Sequence, residues 1–393
     1  MFMLRCNLVN DFPLIEEVIY LNTASIGLVP IPVLESVKEF IEKTSIRGTV
    51  YLSEEVEENI FEDLRVNSAN LLGCSVDEVA IFNSVTEALN SIAWALRGGG
   101  KIVSTNIEFP TVVYPWMRIS KNKDWKVVLV DSKDYLIDED ELLMAIDEDT
   151  LSVVISHVEF LTGQRFNLKA LAEKAHEVGA ILIVDGIQAT GCIPVDVKRD
   201  DVDIYITGSY KWLIGPFGAA VAYIRHDLCR ELEPGLVGWR SVKNMWSLNI
   251  RESMDYVDSA RKFEYSSSAY EAKVAMSKSI EYLTRIGIDN IYSYNMKLTK
   301  YFMEELVNIE NIEVVTPVNV KERGSIVTVK VKGLNPTTIK RGLNSKELKN
   351  GGRDIEFSIR RRLARFSPHF YNDKEDVDEV IERLRKLFSR YGI

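Results

Sequence analysis

The chain has 393 residues, too many for one simple core and enough for two domains of unequal size. Its 58 acidic residues outnumber its 48 lysines and arginines, and a formal net charge of −10 is the wrong sign for a binder of nucleic acid or of an anionic membrane. The four cysteines (Cys6, Cys74, Cys192 and Cys229) form no CxxC pair, which argues against both a zinc site and a disulfide framework. The N-terminus does not read as a signal peptide, and no uncharged apolar run is long enough to span a bilayer. The expectation is therefore a soluble, cytoplasmic protein that acts on small molecules, with neither nucleic-acid nor membrane partners.

From about residue 77 short apolar strands alternate with amphipathic helices. VAIFN (79–83) predicts a strand and TEALNSIAWAL (86–96) the helix it feeds. KIVST (101–105), WKVVLVD (125–131), LSVVIS (151–156), ILIVD (181–185), DIYIT (203–207) and AAVAYIR (219–225) predict further strands. LKALAEKAHEVG (168–179) has helical spacing and a glycine stop. Strands so uniformly apolar are buried on both faces, so the fold class is α/β, a doubly wound, mainly parallel sheet covered by helices. After about residue 250 the pattern changes to a long helical stretch near 268–309, then IEVVTP and SIVTVKV, then helix, strand and a charged final helix (373–390). This predicts a large domain over 15–255 and a smaller α+β domain over 256–393, together with 1–14.

One spacing carries chemistry. Asp185 ends an apolar strand in ILIVDGIQATG (181–191), and 26 positions later Lys211 follows the end of another in ITGSYKWLIGP (206–216). Pyridoxal 5'-phosphate chemistry needs this pair: a lysine amine to form an imine with the cofactor aldehyde, and a buried carboxylate to keep the pyridine nitrogen protonated. NSVTEALN (83–90) lies between a strand and a helix, where Ser84, the Val85 amide and Thr86 suit a phosphate, although the same residues also fit an ordinary helix cap. Gln188 is placed to donate to the cofactor's phenolic oxygen, and Tyr210 and Ser209 to contact the phosphate. Phe109, in NIEFPTVVYPW (106–116), suits stacking on a heteroaromatic ring or plain core packing. Arg365, in LARFSPHFYN (363–372), offers a planar fork for a carboxylate. Arg360, Arg361 and Arg362 read as a solvated basic face, and His369 as a structural histidine.

The ordered set YLNTASIGLVP, NSVTEALN, EFPTVVYPW, HVEFLTGQRFNL, VDGIQATG, GSYKWLIGPFG, GWRSV, KFEYSSSAY and RFSPHFYN resembles the class V aminotransferase family of pyridoxal-phosphate fold type I. That group includes cysteine desulfurases, kynureninases and isopenicillin-N-epimerase-like proteins. The resemblance covers roughly residues 18–385. It implies that Lys211 is the imine lysine, Asp185 the partner of the pyridine nitrogen, and Gln188 the contact to the phenolic oxygen. It further implies that Ser84, Val85, Thr86 and Tyr210 form the phosphate cup, that Phe109 stands at the ring-stacking position, and that Arg365 grips the substrate α-carboxylate. Asn22 falls in the segment that lines the pocket. Ser266 and Ser267 stand where the family has a Gly-Thr pair donated to the partner subunit's phosphate, and a homodimer is implied.

The reaction is less constrained than the cofactor. A desulfurase needs a nucleophilic cysteine on the loop before the carboxylate arginine, and residues 349–366 contain none. TGQRFN and the SYK triplet resemble kynureninases, but Val112 and Val113 stand where those enzymes carry a polar residue. The leading expectation is an aminotransferase taking a small α-amino acid and a keto acid. A C–S lyase or an epimerase or kynureninase-like enzyme stands second, and a non-catalytic protein of this fold last. A nucleotide-binding α/β protein fails on motif, because there is no GxxxxGK[ST] and RGGGK (97–101) precedes a strand.

Overall fold

The structure is a computed structural model that describes residues 8–251 and 254–392; Cys6 and the rest of residues 1–7 lie outside the described residues. In chain order its strands are β1 (Val18–Tyr20), β2 (Val79–Phe82), β3 (Gly100–Thr105), β4 (Trp125–Val130), β5 (Thr150–Ser156), β6 (Ile181–Asp185), β7 (Ile204–Gly208) and β8 (Ala220–Ile224). They continue with β9 (Ile312–Val314), β10 (Val327–Val331), β11 (Asp354–Glu356), β12 (Ser358–Arg360) and β13 (Leu363–Phe366). Strands β2 to β8 form one sheet in the order β2-β8-β7-β6-β5-β3-β4. The pairs from β7 through β4 are parallel, whereas β8 runs antiparallel to both β7 and β2. The expected mainly parallel sheet is thus present, with one reversed strand near its edge.

The uniform apolarity of these strands has its cause in two covering layers. Ile183, Ile204, Ile206, Ala220 and Ala222 pack on one face against the helices Val85–Ala95 and Pro110–Ile119. Leu182, Val184, Tyr205 and Tyr223 pack on the other, where helix Leu168–Glu177 lies. Beyond the sheet edge, the helices Glu54–Leu72 and Tyr270–Ile286 share a third core with Val79, Ile81 and Val221. The expected long helical stretch is two helices, because Gly287 takes a φ of 92° between Tyr270–Ile286 and Ile288–Val307.

The C-terminal part builds a four-stranded antiparallel sheet, β12-β13-β10-β9, with its own core against helices Ile288–Val307, Pro336–Leu343 and Lys374–Tyr391. The N-terminal strand β1 pairs in parallel with β11. From there the chain turns inward: Ser367 N donates to Leu21 O at 2.8 Å, and Gly27 N to Tyr210 O at 2.8 Å. Residues 22–27 therefore bridge the C-terminal sheet and the loop after β7. No helix of the described residues is long and apolar enough to cross a membrane.

Gly27 marks the closest approach in this bridge, since a Cβ there would stand 2.0 Å from the Lys211 carbonyl oxygen. Backbone has no flexible end to withdraw, so Gly27→Ala should destabilise by about 3 kcal/mol. Gly179→Ala, with no atom within 4 Å of the new carbon but a φ of +74°, should cost about 1 kcal/mol. Thermal unfolding of the two variants checks the order, and equal stability would show that the bridge is looser than described.

Candidate active site

Ligand-binding groups in open α/β sheets gather at the carboxyl ends of the strands. Asp185 is the last residue of β6 and is 3% exposed. Its Oδ1 accepts from Ile187 N at 2.9 Å. Burial raises its carboxyl to about 6, against the pull of that amide and of the Lys211 ammonium. Lys211 follows the end of the neighbouring strand β7 and is 6% exposed. Its ammonium lies 5.5 Å from the centre of the Phe109 ring and 5.6 Å from that of Tyr210. Burial lowers its amine to about 8, with Asp185 opposing the shift and the Arg365 and Arg360 guanidiniums adding to it. An amine in this range sheds its proton near neutral pH, as a nucleophile or general base must.

The helix Val85–Ala95 begins beside this pair. Ser84 caps it, accepting from Glu87 N at 3.1 Å. The Val85 and Thr86 amides precede the first capped position and belong to the turn that lacks intrahelical partners. Thr86 is exposed, and its hydroxyl shares a 2.6 Å hydrogen bond with that of Thr111, which ties the helix to the segment carrying Phe109. Tyr210 is half-buried and stacks on Phe217 with centroids 4.4 Å apart. Ser209 points elsewhere. It is fully buried and its hydroxyl is taken up by the carbonyls of Pro216 and Ala219, so the structure does not offer it to a phosphate. Ser267 is exposed and Ser266 half-buried, while the next residue, Ser268, donates to Asn83 Oδ1 at 2.8 Å.

Gln188 is buried below the N-terminal bridge, where Nε2 donates to Ala24 O at 3.0 Å and Oε1 accepts from Trp212 Nε1 at 2.8 Å. Phe109 is 44% exposed and packs edge-to-face on Phe160 at 5.4 Å. A core aromatic would be covered; this ring is nearly half exposed, with the Lys211 ammonium over it. Arg365 is 2% exposed, with Nε donating to Ser358 Oγ (2.9 Å), Nη1 to Phe160 O (2.6 Å) and Nη2 to Ser25 Oγ (2.8 Å). Burial lowers its guanidinium to about 9, which leaves it charged at neutral pH. Asn22 donates to Glu356 Oε1 at 3.1 Å, and its buried Oδ1 has no hydrogen-bond partner among the described residues. His369 is structural, held between Asn295 Nδ2 and the Trp212 carbonyl, and burial lowers it to about 3.

Several neighbours escaped the sequence analysis. Ser25 sits in the quoted YLNTASIGLVP motif, yet only the fold brings its hydroxyl to Arg365. Glu108 directly precedes Phe109; Ser156 N (2.7 Å) and Ser156 Oγ (2.5 Å) hold its carboxyl, and burial raises it to about 8. Lys273 is fully buried, with Nζ donating to Asn83 Oδ1 and Gly218 O, and burial lowers it to about 8. Burial raises Cys74 and Cys192 to about 12 and Cys229 to about 11, and Cys192, the one packed near Gln188, is fully enclosed.

The family model for class V aminotransferases matches residues 19–380. A probable cysteine desulfurase of Methanothermobacter thermautotrophicus is 30% identical over 311 residues, 77% of this chain and 76% of that protein. The apo structure of a cysteine desulfurase from Thermococcus onnurineus NA1 superposes with a TM-score of 0.86 at 25% identity, covering 98% of each chain. A mutant of the protein C-DES, with glycine covalently linked to its pyridoxal phosphate, shares the fold with a TM-score of 0.85 at 20% identity, over 96% of this chain and 98% of that one. The donor set fits the same cofactor: a lysine amine of lowered pKa, a buried carboxyl beside it, free amides at a helix start, and an orphaned acceptor at Asn22.

The state of Lys211 sets how fast the apoprotein should capture pyridoxal phosphate. Below about 8 the amine is mostly protonated, so the capture rate should rise close to tenfold per pH unit and level off above that value. Following the visible absorbance after mixing, from pH 6 to 10, checks this. A rate still climbing steeply at pH 10 would mean an ordinary, solvated lysine.

Proposed function

The chain belongs to the class V aminotransferase family, whose enzymes work through pyridoxal phosphate, and we propose that within it the protein is a carbon–sulfur lyase acting on a small sulfur-bearing α-amino acid. Amino-group transfer is the first expectation from the motifs. The desulfurase relatives favour the second expectation, because a desulfurase also breaks a carbon–sulfur bond. The single observation that carries this reading is that residues 349–366, which lead to Arg365, hold no cysteine, while all three described thiols are raised by burial. The sulfur therefore departs in the leaving group, not onto an enzyme cysteine.

When bound, the cofactor supplies an electron sink for the pair left at Cα. The residues of the chain supply the rest. Arg365, rigid on its three protein bonds, orients the α-carboxylate with its remaining N–H groups. Lys211, with a lowered pKa, takes the proton from Cα. Asp185 holds a proton on the ring nitrogen, and its burial keeps water from competing for that contact. The C–S bond then breaks with its electrons leaving on sulfur, and hydrolysis of the three-carbon remainder gives pyruvate and ammonia.

Phe109 and Phe217 are exposed beside Lys211 and Tyr210, and Tyr114 and Met117 are exposed on the helix that follows Phe109. They support a homodimer in which a second copy covers these side chains, with Ser266 and Ser267 reaching the partner's phosphate. The charge of −10 supports an enzyme that does not bind nucleic acid.

Loaded protein given L-cysteine, L-cystine or S-methyl-L-cysteine should release pyruvate and, in equal amounts, sulfide, cysteine persulfide or methanethiol respectively, without an added keto acid. Lys211→Ala should lower that rate by ~10³-fold or more. Arg365→Lys should raise KM by roughly tenfold or more, a bidentate contact being lost. Product that forms only when a keto acid is supplied, with an amino acid as co-product, would identify a transaminase instead.

A further inference from the structure

Arg360 has no place in the chemistry above, and the sequence analysis assigned it to solvent. The register says more. Strands β12 and β13 pair Ser358 with Arg365 and Arg360 with Leu363, so Ser358, Arg360 and Arg365 all lie on one face of this hairpin. Arg365 Nε bonds Ser358 Oγ on that face. The terminal nitrogens of the two arginines also converge on one hydroxyl: Ser25 Oγ accepts from Arg365 Nη2 at 2.8 Å and from Arg360 Nη2 at 3.3 Å. They can be no further apart than those two distances laid end to end.

Two guanidiniums this close repel. Among the described residues no carboxylate comes within ion-pair distance of either, although Glu159 tempers Arg365 from further away. Arg360 adds to the lowering of both Arg365 and Lys211, which places its charge in the field of the reacting amine. The turn that sets the pair is itself strained: Arg361 and Arg362, its two central residues, have φ of 46° and 67°, where glycine or asparagine is usual. An unfavourable turn and an unneutralised charge pair at the mouth of a site make sense when an anion settles between them.

We infer that Arg360 is a specificity-determining residue that binds a second, distal carboxylate of the substrate while the buried Arg365 holds the α-carboxylate. This rests on the lyase reading for the α-carboxylate's place. Among the sulfur-bearing α-amino acids it makes the diacidic ones, whose side chain ends in a carboxylate, the preferred substrates over those without a distal anion. Arg365 is buried and anchored, suited to the group common to all amino acids. Arg360 is exposed at the rim, with Nη1 tied only to Ile359 O at 3.0 Å, and is reached only by a longer side chain.

The test needs no cleavage, so it stands apart from the reaction itself. L-2-Aminoadipate and L-norleucine have the same chain length and differ at the distal end, and neither carries a leaving sulfur. Their binding to the loaded protein is measured by calorimetry and by the visible spectrum at low salt. The wild type should prefer aminoadipate by about tenfold or more. Arg360→Met should remove that preference and leave norleucine binding within about twofold, and Arg360→Lys should restore part of it. A wild type without preference, or an Arg360→Met variant that weakens both ligands equally, would overturn the inference, the latter showing both arginines on one α-carboxylate. Failure of the lyase assay with the preference intact would overturn the reaction and keep the subsite.

Discussion

A lysine amine and a carboxyl, both buried, stand at the ends of two adjacent parallel strands, and the rest of the molecule is arranged to keep them there. Strands β6 and β7 pair Asp185 with Ile206, which puts the carboxyl beside the strand that leads to Lys211. Water would hold the amine near its ordinary value; enclosure lowers it to about 8 and raises the carboxyl to about 6, so both change charge close to neutrality. An unpaired buried charge costs several kcal/mol, and the two groups offset part of that for each other. The bound cofactor would be held by this same pair, the amine and the carboxyl.

That enclosure comes from two parts of the chain far apart in sequence. The N-terminal segment crosses the loop after β7 through Gly27, and β13 delivers Arg365 from the C-terminal sheet to the same place. Ser25 joins the two, since its hydroxyl sits in the first segment and accepts from an arginine of the second. The site is thus an interface between sheets, where Arg365 is bonded by residues from both sides, Ser25 and Ser358 among them. A change in how the sheets meet would shift the carboxylate grip relative to the lysine, and geometry at this scale governs rate.

Much of this was legible in the sequence because it rests on local signals. Apolar strands ending in Asp185 and preceding Lys211 announce themselves, and Ser84 is visible as the first residue before a periodic helix. What was hidden depended on direction or on distant pairing. Ser209 is next to Tyr210, and nothing local says that its hydroxyl turns inward to Pro216 and Ala219. Gly287 sits in a stretch whose apolar spacing continues on both sides, so nothing in the periodicity marks the break between two helices. The helices Ile31–Arg47 and Glu54–Leu72 were not expected at all; the first buries only Val33 and Phe40, leaving a faint apolar stripe. Arg360 looks like any surface arginine until strand register sets it beside Arg365.

The claim on which everything else depends is that Lys211 is the residue that binds the cofactor. Reduction of the loaded protein with borohydride, followed by proteolysis and mass spectrometry, reads this directly. The account predicts a pyridoxyl adduct on the peptide containing Lys211 and none on Lys273, the other buried lysine whose amine is lowered to about 8. An adduct on Lys273 or on scattered surface lysines, with Lys211 unmodified, would contradict it.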